Sequence, residues 1–572
     1  MDYRPDAADP RFLLEQVLDA PARLRALAPF AEVDDGLMGQ VLEEAARFVG
    51  EVIAPLNAVG DAVGARFDAG KVTMPPGFAA AYRAFWQAGW PALACAPEDG
   101  GQGLPWVLEG VLYEWLTGAN HGWTMAPGLL HGAYECLKHH GSAELKARYL
   151  AKIASGEWLA TMCLTEPQAG SDLGLVRTQA APQADGSHRL SGTKIFISGG
   201  EHDLTDNIVH LVLAREPGAP PGPKGLSLFV TAKFLDDGAR NAIHCERIEE
   251  KMGLHGSPTC VLRFDGASAW RVGEPGRGLA AMFVMMNAAR LHVALQGVGL
   301  LEAAWQKARA YAGERLQMRA PGSGRTAGEA DPIIRHPAMQ RVLDTERAWI
   351  DGLRVLAYHT GMELDVARHH ADPARRQAAQ QWCSLVTPVL KSLCTEQGFA
   401  GASRLLQVFG GHGYVREWGI EQHVRDARIT LIYEGTNEIQ AIDLLARKVL
   451  PDGGAALVAL LEQLAQEVDG AAADGPETTD RLHDAARLTR ELVAAAGRQA
   501  ALPYEAADDF LRATGLALLG WAWHRIARAP GAQDARWAVP HQALRLRVLP
   551  EYGMRAQILR NQCRAAAGAR VD

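Results

Sequence analysis

The spacing of apolar residues changes character along the chain. Residues from about 10 to 160 carry apolar side chains at helical intervals, as in the stretch 35–49. The turn-rich Pro97-Glu98-Asp99-Gly100-Gly101-Gln102-Gly103 reads as a loop between two helices. After about 160 the pattern shortens. Residues 194–198, 208–214, 226–231 and 259–264 are β-rich runs divided by Gly and Pro clusters, notably Pro217-Gly218-Ala219-Pro220-Pro221-Gly222-Pro223. These predict a compact antiparallel β domain. Helical spacing returns at Gly278 and continues to about Leu450, broken by an exposed loop at 320–331, and reads as a helix bundle. Pro451-Asp452-Gly453-Gly454 then punctuates the chain, and an Ala- and Leu-rich helical segment of about 120 residues follows.

The expected fold class is α+β, mostly α. Its domains are an N-terminal helical domain (1–160), a middle antiparallel β domain (161–277), a C-terminal four-helix bundle (278–450) and an additional helical domain (451–572). A chain of 572 residues is too long for one core, which agrees with several domains.

Composition narrows the function. Apolar residues make up 48% and charged residues 22%, an ordinary balance for a soluble enzyme. A net charge of -8 gives no general attraction to nucleic acid or anionic lipid. The most apolar run, 280–301, contains Asn287, Arg290 and His292, so no membrane span is expected. The start, Met1-Asp2-Tyr3-Arg4-Pro5-Asp6, lacks a basic region followed by an apolar stretch, so no signal peptide is expected. The eight cysteines form no paired CxxC and no metal site is expected; Cys163 and Cys260 read as buried thiols. A cytoplasmic location fits.

The chemistry concentrates in four segments. In Tyr433-Glu434-Gly435-Thr436, one carboxylate stands between an apolar run and a Gly-Thr step. Poor solvation there raises a carboxyl's proton affinity, which suits a base next to a carbonyl, and the Gly allows close approach of a ligand. A helix-start acid is the plainer reading. The other segments are Thr161-Met162-Cys163-Leu164-Thr165-Glu166-Pro167-Gln168-Ala169-Gly170-Ser171-Asp172, Lys194-Ile195-Phe196-Ile197-Ser198-Gly199-Gly200 and Gln407-Val408-Phe409-Gly410-Gly411-His412-Gly413-Tyr414. In order and spacing the four together resemble the acyl-CoA dehydrogenase family over roughly residues 40–450. The extra C-terminal segment resembles the larger branch, which includes methylthiopropionyl-CoA and some long-chain acyl-CoA dehydrogenases.

The resemblance implies FAD as cofactor, an acyl-CoA thioester as substrate and a trans-2-enoyl-CoA as product. It implies an electron-transferring flavoprotein as partner, and a homodimer or dimer of dimers. Glu434 matches the catalytic glutamate, and its N–H would donate to the thioester oxygen. Arg290 would lie near the site and help to place Glu434; the alternative is a helix-surface arginine. Some members carry the acid one residue before this Arg, where this chain has Ala289. Leu164, Thr165, Phe196 and Ser198 match flavin contacts, and Ser171 a turn that meets phosphate or the pantetheine amide. Arg315 resembles an arginine that reaches the FAD pyrophosphate, and Gln407, Gly410 and Gly411 a turn that meets a neighbouring subunit's FAD. Thr436 and Glu438 would border FAD, Glu438 being equally readable as a helix-start acid. Gly435 and Asn287 fall on the substrate side.

Two departures stand out. Met318-Arg319 replaces the usual Phe-Gly pair after the arginine, and Asn287 stands where many relatives have an Asp that contacts CoA. Two alternatives remain at this level. One is an acyl-CoA oxidase on the same fold, using O2. The other is a non-catalytic nucleic-acid-binding relative, for which Arg545, Arg547, Arg555, Arg560 and Arg564 could form a polyanion patch or a solvated helix face.

Overall fold

The computed structural model describes residues 3–322, 328–468, 470, 472 and 474–568, without the side chains of Val284, Asn287 and Ala288. Residues 323–327, inside the loop expected at 320–331, lie outside that set. The chain forms two compact units. One comprises Met1–Ala46, Gly110–Gly118 and Val293–Asp572, the other Arg47–Glu109 and Ala119–His292.

The second unit holds the sheet. A small hairpin pairs β1 (Arg66–Asp68) with β2 (Lys71–Thr73). Seven further strands follow: β3 (Leu159–Cys163), β4 (Gln179–Pro182), β5 (His188–Ser198), β6 (Ile208–Arg215), β7 (Leu226–Ala232), β8 (Ile243–Ile248) and β9 (Thr259–Val272). Pairings run β6–β4–β5–β9–β7 and return to β6, so five strands close on themselves; β3 adds to β6 and β8 to β9. Most pairs are antiparallel, but β3 and β4 both run parallel to β6. The parallel partners explain why β6 reads Ile-Val-His-Leu-Val-Leu-Ala, buried at every position, rather than alternating.

β5 bulges. Its register against β9 shifts between Lys194 and Ile197, and within the shift Phe196 takes φ +59. A non-glycine residue there is strained by about 1 kcal/mol or more. The helical part of this unit packs an aromatic core in which Trp123 meets Phe85 edge-on at 5.3 Å and Tyr82 at 6.2 Å. The helix Trp106–Thr124 is broken at Asn120, whose side chain accepts from the Trp123 N–H and restarts it.

The first unit is helical. The helices Pro337–His369 and Pro373–Leu406 run beside the later part of Gly278–Glu314. Glycines set the spacing: a Cβ on Gly297 would meet the Cys394 carbonyl oxygen at 2.4 Å, and one on Gly299 the Glu114 carbonyl oxygen at 2.2 Å. Residues 455–566 add Ala455–Glu467, Gly475–Ala496, Ala507–Arg528, Ala535–Ala543 and Pro550–Ala566 to the same unit. A Cβ on Gly352 would meet Leu519 at 2.5 Å and Trp523 at 2.7 Å, and Trp523 Nε1 donates to the Ala348 carbonyl at 2.8 Å.

A chain of buried charges ties these helices together. Arg354 bonds Glu114 at 2.6 Å and Glu302 at 3.2 Å; Arg347 bonds Glu302 at 2.6 Å and also pairs with Asp351. Arg536, from the additional segment, bonds Asp351 at 2.7 Å and Asp9 at 2.6 Å. Burial works against the Asp351 carboxylate, yet the two guanidinium groups hold its proton affinity well below the usual range. Cys163 and Cys260 are both fully buried thiols. Among the described residues no helix is long and apolar enough to cross a membrane, and no group of His, Cys, Asp and Glu could hold a metal ion.

Candidate active site

The two units carry the matched residues in two groups. In the unit with the sheet, β3 ends at Cys163, and Leu164 and Thr165 follow as extended chain before a tight turn closed by Glu166 N–H to Ala169 O at 3.0 Å and its reciprocal at 2.9 Å. The Ile195 N–H of β5 donates to the Thr165 carbonyl at 2.9 Å. That bond brings Leu164 and Thr165 beside the Phe196 bulge. Phe196 is a large aromatic left 59% exposed on the outside of a strand, while Thr165 and Ser198 are half-exposed residues. Ser171 is exposed on the next turn, which Asp172 caps by accepting from the Gly174 N–H at 2.9 Å. A bare ring flanked by hydroxyls fits a flat, polar-edged isoalloxazine.

Arg290 belongs to this unit and is 6% exposed, so the helix-surface alternative does not hold. Nearby in sequence, His292 enters a buried cluster that no motif announced. Glu109 Oε2 lies 2.9 Å from His131 Nδ1 and Glu109 Oε1 3.6 Å from His292 Nε2, with Trp106 stacked on His292 at 5.1 Å. Burial alone would lower the His131 pKa, but the Glu109 carboxylate raises it well above the ordinary value. Asn287 sits in the helix, and its side chain lies outside the described residues.

In the helical unit, Glu434 lies on a bend after a short 3-10 turn, half-buried, with φ +57. Its Oε2 is fully buried. Gln440 Nε2 donates to the carbonyls of Glu434 at 3.1 Å and Gly435 at 3.2 Å. Gly435 has φ +85, and a Cβ there would meet Gln440 Nε2 at 2.7 Å. Thr436 caps the helix Asn437–Ile442 by accepting from the Ile439 N–H at 3.3 Å. Asn437 anchors that helix: its Oδ1 accepts from Lys391 Nζ at 2.9 Å and its Nδ2 donates to the Ser392 carbonyl at 3.3 Å. On the other side, the Tyr433 hydroxyl donates to Gln296. Burial, and after it the Glu434 and Asp426 carboxylates, raise the Tyr433 phenol. The bend that carries Glu434 is thus fixed from both flanks. Glu438 is exposed in the first helical turn, its proton affinity raised by partial burial and by the charges of Asp508 and Glu396.

Arg315 is exposed just past the end of Gly278–Glu314. Gln407, Gly410 and Gly411 lie exposed on a 3-10 segment, Gln407–Tyr414, in which Gly410 takes φ +59. That segment packs on Tyr311, which stacks on Phe409 at 4.2 Å and bonds His412 Nδ1 at 2.9 Å. Around it Leu316, Met318, Tyr414, Val415 and Trp418 are exposed, Tyr414 to 88%. Met318 takes φ +56.

Three of the five arginines at the far end, Arg545, Arg555 and Arg560, are paired with carboxylates. Arg545 bonds Glu477 at 2.8 Å, Arg555 bonds Asp509 at 2.7 Å and Glu551 at 3.2 Å, and Arg560 bonds Asp484 at 2.6 Å. Paired guanidinium groups make a poor polyanion surface.

Comparison with known proteins agrees with this geometry. Residues 39–157, 161–267 and 276–450 match the models of the acyl-CoA dehydrogenase N-terminal, middle and C-terminal domains. The chain is 42% identical to 3-methylmercaptopropionyl-CoA dehydrogenase of Ruegeria pomeroyi, over 94% of this chain and 92% of that protein. It is 36% identical to the broad-specificity linear acyl-CoA dehydrogenase FadE5 of Mycobacterium tuberculosis, over 93% and 91%. In fold it resembles Caenorhabditis elegans ACDH-11 in complex with C11-CoA (TM-score 0.76, 21% identity, 96% of this chain and 93% of that one). It also resembles an acyl-CoA dehydrogenase of Bacillus anthracis complexed with FAD (TM-score 0.73, 21% identity, 93% and 87%). On the three matched domains and the two full-length relatives, the chain belongs to the acyl-CoA dehydrogenase family.

Proposed function

We propose that this protein desaturates the Cα–Cβ bond of an acyl-CoA thioester to a trans-2-enoyl-CoA, with Glu434 as the base. The observation that carries the assignment is the half-buried Glu434 carboxylate, on a positive-φ bend held by Gln440 and Asn437. A base whose backbone cannot drift keeps a near-attack geometry. Glu434 takes the α-proton at a carboxylate oxygen, and its backbone N–H donates to the thioester oxygen as enolate charge develops. Bound FAD supplies the hydride acceptor for the β-carbon. Thr165 and Ser198 orient its polar edge, Phe196 covers its ring from water, Ser171 and Arg315 take phosphate or pantetheine groups, and Thr436 and Glu438 border it. Arg290 and Gly435 serve the substrate side.

Electrons then leave to an electron-transferring flavoprotein; the dehydrogenase names of the full-length relatives favour this over O2. The exposed Leu316, Met318, Tyr414, Val415 and Trp418 around Arg315 and Gln407–Tyr414 support a homodimer or dimer of dimers, in which each protomer completes its neighbour's FAD site. A cytoplasmic location suits the eight free thiols.

The deciding experiment is anaerobic reduction of the purified holoprotein by a panel of acyl-CoAs, from 3-methylmercaptopropionyl-CoA through straight chains, followed by air. Bleaching of the flavin by at least one thioester, with slow reoxidation in air, is expected. Failure to bleach with any of them refutes the activity, and fast reoxidation with peroxide makes the protein an oxidase.

A further inference from the structure

The Lys194 side chain is completely buried, at 0% exposure, in β5 immediately before the Phe196 bulge. A buried ammonium is costly unless every donor finds an acceptor. Lys194 Nζ donates to Glu166 Oε1 at 2.9 Å and to the Leu164 carbonyl at 2.9 Å. Glu166, 4% exposed, also accepts from the Arg177 N–H at 2.8 Å, the Thr178 N–H at 3.0 Å, the Thr178 hydroxyl and Gln168 Nε2 at 2.6 Å. Burial opposes its charge, but Lys194 and Thr178 hold its pKa at about 2. Burial lowers the Lys194 ammonium pKa, and the Glu166 carboxylate opposes that shift.

This pair joins the two segments that carry Leu164–Thr165 and Phe196–Ser198. The Thr165 carbonyl is held by the Ile195 N–H and the Leu164 carbonyl by the Lys194 ammonium. In a trans peptide the carbonyl and the following N–H point to opposite sides. The bond from Lys194 Nζ to the Leu164 carbonyl therefore fixes the Thr165 N–H on the side of the peptide opposite Nζ. A buried ion pair is in itself poor evidence of stability, since an apolar pair of similar volume often does as well. Its presence here calls for another role.

We propose that Lys194 and Glu166 are positioning residues for the flavin: by fixing the Leu164–Thr165 peptide and the base of the Phe196 bulge, they preset the Thr165 N–H that meets the polar edge of FAD. The inference rests on the flavin assignment of Thr165 and Phe196 made above. A donor already in place spends no binding energy on reorientation.

The test is the double substitution Lys194→Met with Glu166→Gln in the full-length protein, which removes the donor to Leu164 without stranding a buried charge. Melting temperature, FAD affinity, the visible flavin spectrum and the flavin reduction potential are compared with wild type. The expected result is a folded protein with an FAD Kd raised about tenfold, as for one lost hydrogen bond, and a shifted flavin band and potential. A folded double variant with native FAD affinity, spectrum and potential overturns the proposal. If the double variant does not fold, Lys194→Arg keeps the charge but displaces the donor; a shifted flavin band supports the proposal and an unshifted one overturns it. Wild type that binds no FAD would instead overturn the flavin assignment itself, a result visible before any variant is made.

Discussion

Glu434 and Phe196 share a feature that residue identity alone does not reveal. Both are non-glycine residues at positive φ, 57° and 59°. Such strain persists only where the surroundings over-determine it. For Glu434 the determinants are Gln440, which holds two successive carbonyls, and Gly435, which leaves room for the Gln440 amide. Gly435→Ala should therefore act at a distance of one residue. Its Cβ is disfavoured at φ +85 by about 1 kcal/mol and would displace Gln440 Nε2, freeing the Glu434 backbone. The expected outcome is a folded, FAD-loaded protein whose rate of flavin reduction falls about tenfold or more. Native single-turnover kinetics in this variant would contradict the account of the bend. At this scale the order of four motifs singled out Glu434, Thr165, Phe196 and Gln407 as candidates in the sequence. The Lys194–Glu166 pair was not legible, because it depends on how β5 lies against a loop that precedes it by a strand.

Among the elements, the β runs at 208–214 and 226–231 were read nearly to their ends, because both are mostly apolar, β-favouring stretches between turn residues. The β1–β2 hairpin, inside the stretch expected to be helical, and β3, β4 and β8 escaped notice. β1 and β2 are three residues long, β4 is four with only Ala180 buried, and β8 sets buried Ile243 and Cys245 between exposed His244 and Glu246. The parallel pairing of β3 with β6 was equally hidden, since no local signal distinguishes the two senses of pairing. The helices of 455–566 were visible by period, but not their attachment to the bundle. Arg536 makes that attachment by bonding Asp351 and Asp9. Arg536→Ala leaves the fully buried Asp351 paired with Arg347 and should lower unfolding free energy by about 2 kcal/mol or more. Adding Asp351→Asn should recover part of the loss. Chemical denaturation of the two variants measures both; an Arg536→Ala protein as stable as wild type would show that the contact contributes nothing.

The whole molecule has a built-in acid lability. Burial holds the imidazoles of His202, His210 and His423 down at about 3 and that of His292 at about 4. All four lie below the unfolded value of about 6.5, so below that pH the unfolded chain binds protons that the folded chain refuses. Their contribution to stability is complete above about pH 6.5 and is lost as pH falls toward 4, at about 1.4 kcal/mol per group per pH unit. His131 runs the other way. Its raised pKa stabilises below the unfolded value and loses that contribution as pH rises through the folded one. Glu166 enters only below about pH 4.5, where its low pKa begins to cost stability. Melting temperature should therefore drop between pH 7 and pH 5, before carboxylates titrate; a flat profile over that interval would contradict the buried, neutral state of these histidines. The central claim for the molecule, that one carboxylate on a rigid bend removes the α-proton, is tested most directly by Glu434→Gln beside Glu438→Gln in anaerobic stopped-flow reduction. Gln cannot accept the proton at neutral pH but keeps the shape of the site. Glu434→Gln should retain FAD and acyl-CoA binding while flavin reduction slows by about three orders of magnitude or more, and Glu438→Gln should reduce at close to the native rate. Near-native reduction in Glu434→Gln would place the base elsewhere and contradict the account.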